Sequence, residues 1–320
     1  MTDGPPIRAT ALAKTYRLGF WFHKKVQALR GLDLLVEPGQ VYGLLGPNGA
    51  GKSTTIKILM DLVRPSSGEA QLFGRAPGDP HCRSMVGFVP ENPAPYDYLT
   101  GREFVSLAGR LSGLRSAALT RRINEVLDQV GLSRAASLQL RKYSKGMVQR
   151  VAVAQALVAK PKMLILDEPT SGLDPVGRRE MRDLILSERA RGTTVLFCTH
   201  IIADVEAVCD RVAVLVAGRR VREGAVNELL TAQVPTMEGT FENVSEATLR
   251  QSGAPIEQVV TQAGRLRIHA SDAAMQTLLR AAVNAGGRVV HLAPVRFSLE
   301  DLFLQALQEA GTSSVGADIS

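Results

Sequence analysis

The run Gly46-Pro47-Asn48-Gly49-Ala50-Gly51-Lys52-Ser53 constrains this chain more than any other stretch. Its spacing is G-x-x-x-x-G-K-S. A short apolar segment precedes it (residues 41–45), and Ile56, Leu59 and Met60 follow at helical spacing. Strand, glycine-rich loop and helix in that order predict a phosphate-binding loop. Glycines let the backbone take positive φ and curl round an anion. The inward N–H groups and the N-terminal end of the next helix both favour negative charge. Lys52 is placed to reach β- and γ-phosphates, and the Ser53 hydroxyl to sit on Mg²⁺. Thr54 continues the first turn beside them.

The segments around this loop extend the same plan. Residues 7–12 and 32–36 read as strands, and Pro38-Gly39 as a turn. The pattern predicts a helix over 53–62, a turn at 65–68, a strand over 69–73 and another over 86–90. From 100 to 159 it turns helical: 103–111, then 119–130 stopped by Gly131, then 148–159, which is apolar almost all round and so expected to be buried. Strands at 163–166, 194–198 and 211–216 then alternate with a helix that continues over 183–191 and another at 204–209. Such alternation predicts a mostly parallel, doubly wound sheet. Ligands of these sheets lie outside the carboxyl ends of the strands. Asp167-Glu168 and His200 follow two of the strands, so they are expected to meet the loop at Gly46. Residues 225–310 read as a separate, small α+β unit. Its strands fall at 236–244, 256–262, 265–269 and 288–292, an amphipathic helix at 272–284, and a last helix at 299–309. The tail 311–320 reads as disordered.

Each strand-end pair has a chemical reading. Asp167 suits Mg²⁺, which takes oxygen ligands and keeps several waters. Glu168 can polarise an attacking water as general base. The alternative is a pair of surface carboxylates. His200 can contact a γ-phosphate and the same water, or serve the structure only. Ser144 and Gly146, ahead of the buried helix, make either a second anion site or an ordinary helix N-cap. Phe20, Trp21 and Phe22 cannot all face one core from a strand. They meet a partner or lipid headgroups, or pack locally in a hairpin.

Composition excludes several classes. No apolar run reaches about 18 residues, so no transmembrane helix is expected, and the polar N-terminus lacks the apolar region of a signal peptide. Three scattered cysteines, Cys82, Cys198 and Cys209, suggest a reducing compartment and apolar burial. The net charge of +7 suits anionic ligands or a membrane surface, and no ladder of basic and aromatic residues points to nucleic acid.

Taken together, the motifs resemble the ATP-binding cassette (ABC) ATPase subunits over residues 7–224. Residues 46–53 are similar to that family's Walker A, 143–147 stand at its signature position, and 163–168 resemble its Walker B. Residues 171–174 are similar to its D-loop and His200 to its switch histidine. The resemblance implies a P-loop NTPase core with a mostly parallel sheet, an antiparallel β subdomain and a helical insertion over residues 92–160. It implies ATP and Mg²⁺ as cofactors. Catalysis is expected from Glu168, His200 and Lys52, and metal binding from Ser53, Glu91 and Asp167. ATP contacts are expected from Tyr16, Gly46, Pro47, Asn48, Gly49, Ala50, Gly51, Lys52, Ser53, Thr54, Ser144, Gly146 and Asp174. Tyr16 resembles the aromatic that stacks on adenine; the alternative is a tyrosine of a core strand.

Two motifs depart from the family pattern. Glu91 stands where glutamine is usual, and the signature, usually L-S-G-G-Q, reads Tyr143-Ser144-Lys145-Gly146-Met147, with Ser144 and Gly146 retained and Lys145 adding a cation. The family works as a head-to-tail pair, so a second cassette subunit, identical or closely homologous, is implied. A separate integral membrane permease is implied too, docked on the helical insertion and the Glu91 loop at the cytoplasmic face of the membrane. The variant motifs and the run 298–303 resemble exporter-type subunits of bacterial ABC-2 systems. An importer ATPase, or a soluble cassette acting on nucleic acid or ribosomes, are the alternatives. The unit at 225–310 is expected to be accessory or regulatory.

Overall fold

The computed structural model describes residues 4–18, 24–231, 236–262, 264–294 and 299–304. The aromatic run 20–22, the second half of the expected last helix and the tail lie outside them. Two compact units are present, one ending at Val226 and the other spanning Asn227–Leu304.

The first unit carries β1 (Ile7–Leu18), β2 (Lys24–Val36), β3 (Val41–Leu45), α1 (Lys52–Leu59), β4 (Ser67–Leu72), α2 (Pro80–Ser84) and β5 (Val86–Val89). These are followed by α3 (Gly101–Leu111), α4 (Ser116–Gln129), α5 (Lys145–Leu157), β6 (Met163–Asp167) and α6 (Pro175–Ala190). The unit ends with β7 (Thr194–Thr199), α7 (Ile202–Val208), β8 (Arg211–Val216) and β9 (Arg219–Ala225). Every residue of β3, β6 and β7 is buried. Strands covered on both faces need no polar alternation, which is why they read as apolar runs. They form a six-stranded sheet in the order β5-β6-β7-β3-β8-β9. Pairing is parallel except for β9, which runs antiparallel to β8.

Register decides where the site falls. Leu45 lies opposite Thr199, and Asp167 opposite Cys198. The loop after β3, the carboxylates after β6 and the histidine after β7 therefore leave the sheet at one level.

An antiparallel sheet, β2-β1-β4, packs on the other side of α1. One core joins Ile7, Leu12 and Leu32 of that sheet to Ile56 and Leu59 of α1 and to Ile165 and Leu196 of the large sheet. Each such fully buried aliphatic side chain contributes about 1.5–3 kcal/mol. This core holds α1, and with it Lys52, rigidly beneath the loop.

The insertion leaves from β5 and returns through β6, its hydrogen-bonded neighbour. Thr100 starts α3 with a capping box to Glu103. α5 is buried along Val151, Ala152, Val153, Ala154, Ala156 and Leu157.

Several boundaries differ from the sequence expectation. α1 stops at Leu59, because Asp61 takes a left-handed conformation (φ 55°). β4 starts at Ser67, inside the expected turn, and Phe73 has left the strand at φ 50°. α6, expected only as a helix continuing over 183–191, starts at Pro175. Asp174 caps it and Pro175 fills its first position, where a missing N–H costs nothing. α2 and the arginine-rich β9 were not expected at all.

The second unit opens with the rest of α8 (Val226–Thr231). It continues through β10 (Thr236–Glu242), α9 (Glu246–Arg250), β11 (Gln258–Gln262), β12 (Arg265–Ser271), α10 (Asp272–Asn284) and β13 (Arg288–Pro294). The sheet is antiparallel in the order β11-β12-β10-β13. Met275, Leu278 and Ala282 of α10 cover Phe241, Ile268 and Ala270 on one face. α10 has the bounds that its apolar spacing predicts. Residues 299–304 are helical. The three cysteines are buried and unpaired. Among the described residues no helix is long and apolar enough to cross a membrane.

Candidate active site

The loop 46–51 is tied into the sheet. Gly46 N donates to Thr199 O (3.3 Å), and Gly218 N to Ala50 O (3.0 Å). A Cβ on Gly46 would stand 2.5 Å from Leu215 O, so only glycine lets the loop pass so near β8. Gly51, at φ 111°, turns the chain into α1. The first N–H groups of α1 have no partner within the helix and face the loop, with the dipole behind them.

Lys52 is buried at the loop's centre. Its Nζ donates to Gly46 O (2.6 Å) and Pro47 O (3.4 Å), and lies 3.3 Å from Glu168 Oε1. Glu168 has φ 48°, a left-handed backbone that side chains rarely adopt. Its carboxylate is only 5% exposed. Thr199 Oγ1 donates to Glu168 Oε2 (3.2 Å), His200 N lies 3.4 Å from the same oxygen, and His200 Nδ1 lies 2.9 Å from it. The His200 ring is 47% exposed. One carboxylate thus links the loop's cation to an imidazole that opens on solvent. Such an arrangement can polarise a water from one side and carry its proton toward the other.

Asp167 sits one residue earlier, buried, with Oδ1 lacking any hydrogen-bond partner. The Ser53 side chain hydrogen-bonds its carboxylate. An unmatched buried carboxylate oxygen beside a hydroxyl fits a hard cation that prefers oxygen ligands. Asp167 Oδ1 and the Ser53 hydroxyl are oxygen donors of the kind that Mg²⁺ takes beside phosphates and water. Burial first, then the charges of Glu168 and Glu91, push the Asp167 carboxyl up to about 6, against Lys52 and Ser53. Glu91 itself is exposed and acts on the site through this charge.

The raised value carries a sign. Without nucleotide and Mg²⁺, the unfolded chain loses this proton near pH 4, whereas the folded chain keeps it to about pH 6. Stability from this group is therefore full at low pH and lost as pH rises through about 6. Asp167→Asn raises the melting temperature by about 3–6 °C at pH 7.5 and by clearly less at pH 4.5. Equal gains at both pH values in a thermal scan would contradict this.

The other expected residues fall as follows. Thr54 is half-buried in the first turn of α1. Tyr16 lies on β1, half-buried, with Lys14 Nζ 5.1 Å from its ring centre. Ser144 caps α5 by accepting from Met147 N (3.3 Å) and is exposed, while Gly146 is half-buried. Asp174 is exposed and caps α6 by accepting from Gly177 N (2.9 Å). Lys145 crosses to its own D-loop: a Cβ on Gly172 would meet its Nζ at 2.1 Å. Thr199 escaped the sequence reading. The signal available was a hydroxyl in an otherwise apolar strand, one residue before His200.

Residues 29–171 match the ABC transporter family. Residues 230–307 match the C-terminal domain of DrrA1-3-like ATP-binding proteins. The chain is 42% identical over 315 residues to an uncharacterized ABC transporter ATP-binding protein of Nostoc sp., covering 96% of this chain and 91% of that protein. It is 39% identical over 227 residues to a fluoroquinolones export ATP-binding protein of Mycobacterium tuberculosis, covering 70% of this chain and 74% of that one. In structure it is similar to a dimeric ATP-binding cassette in a post-hydrolysis state, bound to ADP and Pi. That likeness has a TM-score of 0.63 at 28% identity and covers 68% of this chain and 98% of the other.

Proposed function

The chain belongs to the ABC transporter ATP-binding proteins, and from that premise we propose that it hydrolyses ATP with Glu168 as general base and drives export through a separate membrane permease. The observation that carries this reading is the Glu168 carboxylate, buried between Lys52 and His200 at the level of the loop. ATP brings the phosphoanhydride to be cleaved, and a bound Mg²⁺ would supply charge neutralisation at the phosphates. Lys52 and the N–H groups of 46–51 hold the phosphates. Ser53 and Asp167, with Glu91 from the edge of the site, would hold that metal through oxygen. Glu168 takes the proton of the attacking water, and His200 orients that water and shares the charge. Tyr16 stacks on adenine.

Ser144, Gly146 and Asp174 belong to the surface that closes on a second cassette subunit. The similar dimeric cassette supports that pairing. Export is favoured by the name of the Mycobacterium relative. The permease foothold is the loop after Glu91, where Tyr96 and Tyr98 are exposed with ring centres 5.9 Å apart, together with exposed Leu107 and Leu111 of α3. The chain then works peripherally on the cytoplasmic face of the membrane, with the unit from Asn227 as accessory.

Isolated from native membranes through a tag on the full chain, the protein brings down an integral membrane protein. Replacing Tyr96 and Tyr98 together by Ser lowers that recovery by about tenfold, with ATP turnover of the isolated chain unchanged. Recovery of ribosomes or nucleic acid in place of a membrane protein would overturn the reading.

A further inference from the structure

We propose that Thr170 and Asp204 are positioning residues that fix the distance between Glu168 and His200. Thr170 lies two residues after Glu168 and is fully buried, and Asp204 lies on α7, four residues after His200, 2% exposed. Thr170 Oγ1 donates to Asp204 Oδ2 at 2.7 Å. Arg182 Nε of α6 stands 3.6 Å from Asp204 Oδ1 and has no hydrogen-bond partner of its own. A buried carboxylate needs its donors, so this pair holds its geometry firmly.

The two loops are thereby joined twice. The first tie is at the reacting groups, Glu168 with Thr199 and His200. The second is Thr170 with Asp204, two residues past Glu168 on one segment and four past His200 on the other. Around the ties both backbones are stiffened by short-range bonds: Ser171 N to Glu168 O (3.0 Å), Leu173 N to Thr170 O (3.2 Å) and Asp204 N to Ile201 O (3.2 Å). Two segments pinned at two points each do not slide past one another. Glu168 needs that restraint, because its left-handed backbone stores strain that the surroundings must hold. Neither Thr170 nor Asp204 bonds to the loop 46–53, so the pair acts on the placement of the base and leaves the phosphate cradle alone.

The inference rests on reading Glu168 as the base, and the test separates the two. Thr170→Val keeps the shape and removes the donor, and Thr170→Ser restores it. In the full chain, Thr170→Val lowers kcat by about 10- to 100-fold, with KM for ATP changed by less than about twofold. Thr170→Ser stays within about twofold of the parent in both. Asp204→Asn combined with Thr170→Val is no slower than the slower single variant, as expected of residues acting through one bond. Unchanged kcat in Thr170→Val overturns the proposal. So does joint loss of turnover and ATP affinity, the mark of a merely architectural role. Glu168→Gln is assayed in parallel. If it is inert while Thr170→Val is normal, the positioning role alone fails; if it turns over, the base reading fails and the positioning role with it.

Discussion

Glu168→Gln lowers ATP turnover of the full chain by about 10²–10⁴-fold while ATP still binds. The amide fills the same buried volume and keeps a partner for Thr199 Oγ1, 3.2 Å from Oε2 in the parent. What it loses is the carboxylate basicity that accepts the water's proton. The change also removes a negative charge beside Asp167, one of the charges that raise its carboxyl. The metal side of the site is therefore favoured, and ATP is retained between two subunits that cannot complete the cycle. Equilibrium dialysis with labelled ATP measures the binding, light scattering the dimer, and phosphate release the turnover. Ordinary phosphate release would remove Glu168 from the base position. Lost turnover with lost binding would mean that the carboxylate is needed to hold Lys52 in place.

Lys52→Ala produces the largest loss of affinity. The ammonium joins the loop carbonyls of Gly46 and Pro47 to Glu168. Hydrogen bonds to a charged group contribute about 1.5–3 kcal/mol each. Without two such bonds to the phosphates, ATP binding weakens by about 10²–10⁴-fold. The variant also leaves Glu168 buried without its counter-charge, which costs about 3–5 kcal/mol when one partner of a buried pair is removed, so its melting temperature falls. Lys52→Arg does not rescue, since a planar guanidinium does not fit where a compact ammonium approaches Gly46 O to 2.6 Å. Near-parental ATP affinity in Lys52→Ala, measured by calorimetry on protein shown to be folded, would sink the assignment.

The sequence made the centre of the site legible and its supports much less so. Residues 46–53, Asp167-Glu168 and His200 could be found because each follows an apolar run, and parallel strands end on one ligand edge. The structure brings Lys52, Glu168 and His200 into one chain of contacts. Thr199 stayed hidden because a threonine is ordinary in a strand. Thr170 and Asp204 stayed hidden because their 2.7 Å contact spans 34 residues and leaves no local pattern. The start of α6 at Pro175 went unread, although aspartate followed by proline is a helix-start signal. β9 was missed because its arginines give no apolar alternation, and β8 beside it supplies the pairing. Lys145 could not be oriented from sequence at all, and its reach to Gly172 comes from the fold.

The place of the helical insertion has a consequence for how such a chain diversifies. It departs from β5 at the sheet's edge and rejoins at the adjacent β6. A detour between touching neighbours at a border can lengthen, shorten or be exchanged without shifting the register of β3, β6 and β7. The anchor is the contact of α5 with β5, where a Cβ on Gly87 would stand 2.6 Å from Ala156 O. Outward of that anchor, the helical detour can be re-tailored while the sheet edge that carries Lys52, Glu168 and His200 stays the same.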